Sequence, residues 1–308
     1  MGDIKFSVIV AVAPERTPEV IKYLKNQDYP ADKYEIIVKK GPNTSQNRND
    51  GVKEAKGVYI AFVDDDAIVE KNWLKKAEDF FEKYPEIDVV GGPQLTPPDD
   101  TTFGYTSGIA LESMIGGASI RNRYRKGELN LNSDERELTS ANIFCKKDIF
   151  TEILFNPGFW PGEDPVFFNE LINHGIKLAY CPDIYIYHRR RNTPADLFKQ
   201  VFRYGYVRPK IKSVKKTGLS PYLFMIPSLF VLYLVLSPFL LILNRIFLIP
   251  IFIYIITIFT FSCMVAVQNK NIKYLLFLPL VFFIIHTGYG IGFLWGSVKN
   301  EENRHHFF

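Results

Sequence analysis

Asp64, Asp65 and Asp66 follow one another directly after the apolar run Val58–Val63. Three adjacent carboxylates repel one another, so a compact chain that keeps them is expected to supply a cation. Carboxylate oxygens are hard ligands suited to Mg²⁺ or Mn²⁺, and an ion held by them bridges to phosphate oxygens and stabilises a departing diphosphate as a Lewis acid. The plain alternative is a solvated acidic turn that caps the next helix, since Asp favours N-caps. His188 is followed by Arg189, Arg190 and Arg191 at the end of the run Ile184–Tyr187. A lone histidine is usually structural, but the adjoining guanidiniums pair bidentately with phosphate, so His188 is expected on the metal or the diphosphate, with Arg189 as a donor contact. Asp164 lies just past Trp160 and Pro161 on a Gly-containing stretch. There a carboxylate can reach the hydroxyl of an acceptor stacked on the indole; its structural alternative is an N-cap for a helix over Pro165–His174.

These groups need strand ends to hold them. Phe6–Ala13 is a continuous apolar run of strand length, as buried parallel strands are. Apolar residues at helical spacing follow over Pro18–Asn26, then a strand at Tyr34–Val38, a helix around Asn49–Lys56 and a strand at Val58–Val63 that runs into the acidic triplet. Strand, helix, strand, helix, strand with acids at a strand's carboxyl end is the arrangement in which open α/β sheets bind ligands. A helix over Lys71–Tyr84 and a strand at Val89–Val90 come next, and the polar, Gly-containing stretch Gln94–Glu137 is expected to form loops over a substrate.

Beyond Pro221 the composition changes. Tyr222–Leu243, Ile246–Val267 and Tyr274–Val298 are almost wholly apolar, each about 22 residues or more, enough at 1.5 Å per residue to cross a hydrocarbon core of about 30 Å. Three transmembrane helices are expected, although the tight Asn244-Arg245 turn with Pro238 and Pro250 also suits a re-entrant hairpin. The net charge of +4 is concentrated usefully: Arg208, Lys210, Lys212, Lys215 and Lys216 precede the first run, where they meet anionic headgroups of membrane lipids and hold that flank in the cytoplasm. Lys270 and Lys273, after two crossings, fall on the same side. The basic cluster lacks the interleaved aromatics of a stacking surface, so no nucleic-acid partner is expected. Cys145, Cys181 and Cys263 show neither disulfide nor zinc spacing, and no secretory leader is expected from the polar start. The expected organisation is a catalytic domain over 1–215, transmembrane helices within 216–300 and a short tail over 301–308.

Several stretches in order resemble the family 2 glycosyltransferases of the GT-A fold, a Rossmann-like α/β domain with a mixed sheet. They are Ser45-Gln-Asn-Arg-Asn-Asp-Gly51, then Ala55-Lys-Gly-Val-Tyr-Ile-Ala-Phe-Val-Asp-Asp-Asp66, then Phe159-Trp-Pro-Gly-Glu-Asp164. The resemblance implies that Asp66 ligates the metal, with Asp64 on the ribose or sugar and supporting the metal shell and Asp65 beside the donor. It implies Arg48 facing the nucleobase or diphosphate and Val12 and Ala13 bordering the base. Trp160 and Glu163 would contact the acceptor, and Asp164 would be the base for a single, inverting displacement. Gln200-Val-Phe-Arg203-Tyr204 resembles the Gln-x-x-Arg-Trp motif of processive members, with Tyr for Trp, so Gln200 and Arg203 are donor-side candidates and one addition per acceptor is expected. Lys39-Lys40 stands where many members carry an Asp that reads uracil, which leaves the base open. His286–Gly296 resembles the last transmembrane segment of succinoglycan-type exopolysaccharide glycosyltransferases, with His286 as an intramembrane polar contact or a lipid-phosphate contact. The implied partners are a nucleotide-diphosphate sugar and a lipid-linked saccharide or polyprenyl phosphate acceptor.

Overall fold

The computed structural model describes residues 3–159, 162–211 and 220–298. The chain forms two compact units, one of residues up to 98 with 120–189, the other of 99–119 with 190 onward. Packing thus divides the chain differently from composition, because two helices from the polar part belong with the apolar ones.

In the first unit β1 (Phe6–Val12), β2 (Tyr34–Lys40) and β3 (Tyr59–Asp64) are parallel neighbours. Short α1 (Ile21–Leu24) and longer α2 (Thr44–Glu54) connect them; β4 (Ile68–Val69), α3 (Trp73–Lys83), β5 (Val89–Gly91) and β6 (Gln94–Leu95) follow. After the excursion into the second unit come β7 (Asn142–Lys146), α5 (Glu163–Asn173), β8 (Leu178–Tyr180) and β9 (Ile186–Tyr187). The main sheet runs β2-β1-β3-β7-β5-β8, with β7 antiparallel to both of its neighbours. Side chains alternate across it, as the two-residue period requires. Phe6, Val8, Val10 and Val12 join Ala61, Val63, Trp73 and Phe144 in one core, while Ile9, Ile60, Phe62 and Ile143 join Val52, Phe167 and Leu171 in the other. Cores on both faces explain why β1, apart from Ser7, and β3, up to Asp64, are apolar along their length.

A second, three-stranded sheet, β4-β9-β6, settles the position of His188. Antiparallel pairing sets Ile68 opposite Tyr187 and Val69 opposite Ile186. One step further along this register brings His188 beside Ala67, next to the triplet, and its backbone N–H donates to Leu95 O at 2.9 Å.

Several helix limits differ from expectation. The helix after the first strand is a single turn, and α2 starts at Thr44, capped by Asn43, whose side chain accepts from Gln46 N at 3.1 Å. Polar Ser45, Asn47, Arg48 and Asn49 are buried on α2, so its first half shows no apolar periodicity. α5 begins at Glu163 with Gly162 at the N-cap, φ 111°; Asp164 therefore stands inside the first turn and is not the cap.

The second unit holds α4 (Thr102–Glu112), from the stretch expected to be loops, with α6 (Pro194–Val207), a turn α7 (Ser220–Leu223), and α8 (Ile226–Leu243), α9 (Ile249–Gln268) and α10 (Tyr274–Val298). Among the described residues three helices, Ile226–Leu243, Arg245–Gln268 and Tyr274–Val298, are long and apolar enough to span a membrane. Asn244 caps the turn between the first two, accepting from Ile246 N at 2.8 Å, and Pro250 falls in the first turn of α9, where no helical donor is lost. α10 is the central helix and packs on α4, α6, α8 and α9. His286 uses both ring nitrogens within the protein, at 3.0 Å from Tyr254 Oη and 2.9 Å from Ile115 O.

α6 and α10 meet through glycine. A Cβ at Gly205 would stand 2.1 Å from Tyr289 O, and one at Gly292 would stand 2.2 Å from Phe202 O. Backbones this close leave no room for a side chain. Gly205→Val is expected to destabilise the detergent-purified protein by about 3 kcal/mol, read as a fall in unfolding temperature, since the obstacle is backbone and cannot rotate away. An unchanged transition would show that this crossing is not tight in solution.

Candidate active site

Pairing of Ala11 with Asp64 and of Val12 with Lys40 lines up the carboxyl ends of three parallel strands. The acidic triplet begins at that edge, where the strand ends and the chain turns into β4. Asp64, Asp66 and His188 offer ligand atoms that lie within 4.8 Å of one another. His188 Nε2 is 3.0 Å from Asp66 Oδ1 and 3.7 Å from Asp64 Oδ2. An octahedral ion with bonds of about 2.1 Å sets adjacent ligands about 3 Å apart, so the spacing is compatible with Mg²⁺ or Mn²⁺. His188 Nδ1 lies 3.0 Å from Arg189 O. A carbonyl only accepts, so Nδ1 carries a proton and Nε2 is the nitrogen presented to the carboxylates, the arrangement in which histidines ligate metals.

Arg48 reaches the same place from α2. Its side chain is 6% exposed, and the guanidinium donates from Nη1 to Glu163 Oε1 at 2.9 Å and sets Nη2 3.6 Å from Asp64 Oδ1. It lies over the Phe155 ring, 5.2 Å from the centroid. The side chain expected toward the nucleotide thus faces two carboxylates and links the triplet to the start of α5. Glu163 also accepts from Gly162 N at 3.0 Å, closing the turn. Next to it, Asp164 receives Ser140 N at 3.1 Å and the Ser140 hydroxyl, which fix the carboxylate's orientation.

Val12 ends β1 buried, its carbonyl taken by Gly41 N at 3.0 Å and Asn47 Nδ2 at 3.2 Å. Ala13 opens the following turn, its carbonyl accepting from Arg16 N at 3.1 Å. That turn brings in Arg16, which sequence reasoning missed. Arg16 Nη1 is 2.9 Å from Asp65 Oδ1 and Nη2 is 2.5 Å from Asp66 Oδ2. Pairing across fifty positions leaves no local signal, and Ser140 was missed for the same reason. Arg189 is exposed at the end of the first unit. Gln200 and Arg203 stand on α6 in the second unit, where Gln200 Nε2 donates to Tyr204 Oη at 3.0 Å. Trp160 lies outside the described residues, as do Lys212, Lys215 and Lys216.

Residues 8–154 match the family described as Glycosyl transferase family 2. This segment is a family 2 glycosyltransferase domain. Across 310 aligned residues, 90% of this chain and 91% of the relative, the chain is 24% identical to the dolichyl N-acetyl-alpha-D-glucosaminyl phosphate 3-beta-D-2,3-diacetamido-2,3-dideoxy-beta-D-glucuronosyltransferase of Methanococcus voltae. It is 27% identical over 187 residues to the minor teichoic acid biosynthesis protein GgaB of Bacillus subtilis, matching 54% of this chain but only 19% of that protein's length. The fold is shared with the mannosyltransferase PcManGT of Pyrobaculum calidifontis, solved with GDP-Man and Mn²⁺: TM-score 0.54, 12% identity, 94% of this chain and 87% of that one. The transferase domain thus has the GT-A architecture, followed by three apolar helices.

Burial leaves the carboxylates of this domain out of balance. It pushes Asp65 up to about 6 from 3.8, against the pull of Arg16, and it also raises Asp64 and Glu163 against His188 and Arg48. For Asp66, burial is outweighed by His188 and Arg16, which hold it well below the usual carboxylate range. A carboxyl raised in the folded state stabilises that state fully below its unfolded value of 3.8 and loses the contribution as pH rises through about 6. Asp66 has the opposite sign, and its contribution is complete above 3.8. Metal-free protein is therefore expected to lose stability between about pH 4 and pH 7, and Asp65→Asn to remove on the order of 2 kcal/mol of that loss. Thermal unfolding across this range tests it; an Asp65→Asn profile parallel to wild type would contradict it. Added Mn²⁺ is expected to stabilise more at pH 7 than at pH 5.

Proposed function

We propose that the chain is an inverting, metal-dependent transferase that moves one sugar from a nucleotide-diphosphate donor to a lipid-linked saccharide at the cytoplasmic membrane face. The observation that carries this is the continuous link Asp66-His188-Asp64-Arg48-Glu163, with Asp164 next in the chain. It runs by ion pairs from the donor set to Glu163, the chain neighbour of the expected base. Asp64, Asp66 and His188 would hold the ion, with Asp66 and His188 as its principal ligands. A divalent cation held there would supply charge neutralisation for the leaving diphosphate. Val12 and Ala13 border the base, and Arg48 holds Asp64 in orientation. Asp164, held by Ser140, takes the proton of the acceptor hydroxyl, and attack opposite the leaving group inverts the anomeric carbon. Glu163 positions Arg48 while Trp160 supplies the acceptor's stacking surface. Arg189 serves the donor phosphates, and Gln200 and Arg203 are assigned to the donor side on α6.

Catalysis is assigned to residues 1–215 and anchoring to 216–300. An anchor raises the effective concentration of the catalytic domain near membrane-bound acceptors. Basic Arg208 and Lys210 before the first apolar helix, with Lys270 and Lys273 between the second and third, favour a cytoplasmic catalytic domain. The Methanococcus voltae relative, by its name, acts on a dolichyl-linked sugar phosphate, which favours an acceptor that already carries a sugar.

The test is transfer from radiolabelled UDP- and GDP-sugars by purified protein with Mn²⁺, comparing a polyprenyl-linked saccharide with bare polyprenyl phosphate. Label on the saccharide lipid, lost with EDTA and restored by Mn²⁺, is the expected result. Label only on bare polyprenyl phosphate would sink the acceptor assignment.

A further inference from the structure

Arg16 sits on the acidic triplet but belongs to neither the expected metal set nor the base. Its two nitrogens contact different carboxylates for which the surroundings differ. Asp65 is buried, its side chain 5% exposed, and its backbone is pinned by Val20 N donating to Asp65 O at 3.0 Å. Asp65 Oδ1 holds Arg16, while the buried Oδ2 has no hydrogen-bond partner. Asp66, by contrast, is a third exposed and shared: Oδ1 faces His188 and Oδ2 faces Arg16. The Arg16 side chain is itself 47% exposed, so its outer end has room to move.

We propose that Arg16 is a tethered cation, anchored by Asp65, that exchanges Asp66 for the donor diphosphate and thereby makes metal and diphosphate binding cooperative. It rests on the donor-site reading above. A divalent ion shared by Asp66 and His188 is repelled by a guanidinium on the other oxygen of the same carboxylate. Metal alone is therefore opposed by Arg16. When a diphosphate arrives with the metal, Arg16 has a second anion to take, and its planar fork suits two phosphate oxygens. Asp65 then acts through Arg16, as a positioning residue, in place of the donor contact expected from sequence. A single salt link thus opposes metal without donor and favours the two together, which is a coupling free energy between two ligands.

The measurement is Mn²⁺ affinity by electron paramagnetic resonance, alone and with saturating UDP or GDP, on full-length wild type, Arg16→Gln, Arg16→Lys and Asp65→Asn. Wild type is expected to bind Mn²⁺ weakly alone and at least tenfold more tightly with one of the nucleotides. Arg16→Gln is expected to bind Mn²⁺ alone several-fold more tightly, to bind the nucleotide less tightly at saturating Mn²⁺ and to lose most of the coupling. Arg16→Lys, which keeps the charge without the fork, is expected to fall between them, and Asp65→Asn to lose coupling while retaining Arg16. A purely structural role would weaken both ligands together, so that outcome, or unchanged coupling in Arg16→Gln, overturns the proposal. Wild type that binds neither Mn²⁺ nor either nucleotide overturns the donor-site reading and this proposal with it.

Discussion

Asp164→Asn is expected to lower the turnover number by about 10²–10⁴-fold while leaving nucleotide affinity within about twofold of wild type. The amide keeps the size of the carboxylate and still has an oxygen to accept from Ser140, so the first turn of α5 and its link through Glu163 to Arg48 are retained. What is lost is the capacity to take a proton from the acceptor. The separation is informative because Asp164 is next to Glu163 yet has different partners: Glu163 is committed to Arg48, whereas Asp164 is held by one serine. Single-turnover transfer of a labelled sugar, with nucleotide binding by calorimetry, checks both halves. Transfer within tenfold of wild type would remove Asp164 from the role of base.

Asp66→Ala is expected to abolish Mn²⁺-dependent donor binding and reduce transfer by about 10³-fold or more, of the order that follows when an electrostatic contact to a developing charge is removed. Asp66 touches both His188 and Arg16, so its loss takes away a metal ligand and leaves Arg16 without one of its two carboxylate partners. Because His188 and Arg16 hold its carboxyl well below the ordinary range, Asp66 is ionised at every working pH, and lowering the pH to 5 should not mimic the substitution. Asp65→Ala should do less, since Asp65 contacts Arg16 and not His188. Equal losses for Asp65→Ala and Asp66→Ala would mean that the triplet acts as a diffuse charge and not as a set of distinct ligands.

Much of the first unit follows from apolar runs broken by proline and charge. β1, β2 and β3 were expected almost where they lie: β1 and β3 are buried on both faces and so nearly continuous in apolar residues, and the edge strand β2 shows its short apolar run before charge begins. The three membrane-length helices were equally plain, since no other solvent permits so long an apolar run. α4 was not: Thr102–Glu112 carries Thr, Ser and Gly and reads as loop, but its buried face packs against α10, a partner 170 residues away. α2 was placed too late for a related reason. Buried Asn47 and Asn49 satisfy backbone groups at Val12, Gly41 and Phe155, so the face turned inward is polar.

By itself the sequence determined the alternation of strands and helices, the acidic triplet at a strand's carboxyl end, the candidate base and the membrane-length helices. Each depends on neighbours within one element, where spacing alone sets which face a side chain takes. Tertiary structure decided which charges meet. The register of β4 on β9 carries His188 to Asp66, the fold of α2 against α5 joins Arg48 to both Asp64 and Glu163, and the turn after β1 lays Arg16 across the triplet. Apart from Arg48–Asp64, which lie close in sequence, these ion pairs join residues about 50 to more than 100 positions apart, and only the packing of whole elements brings such residues within reach.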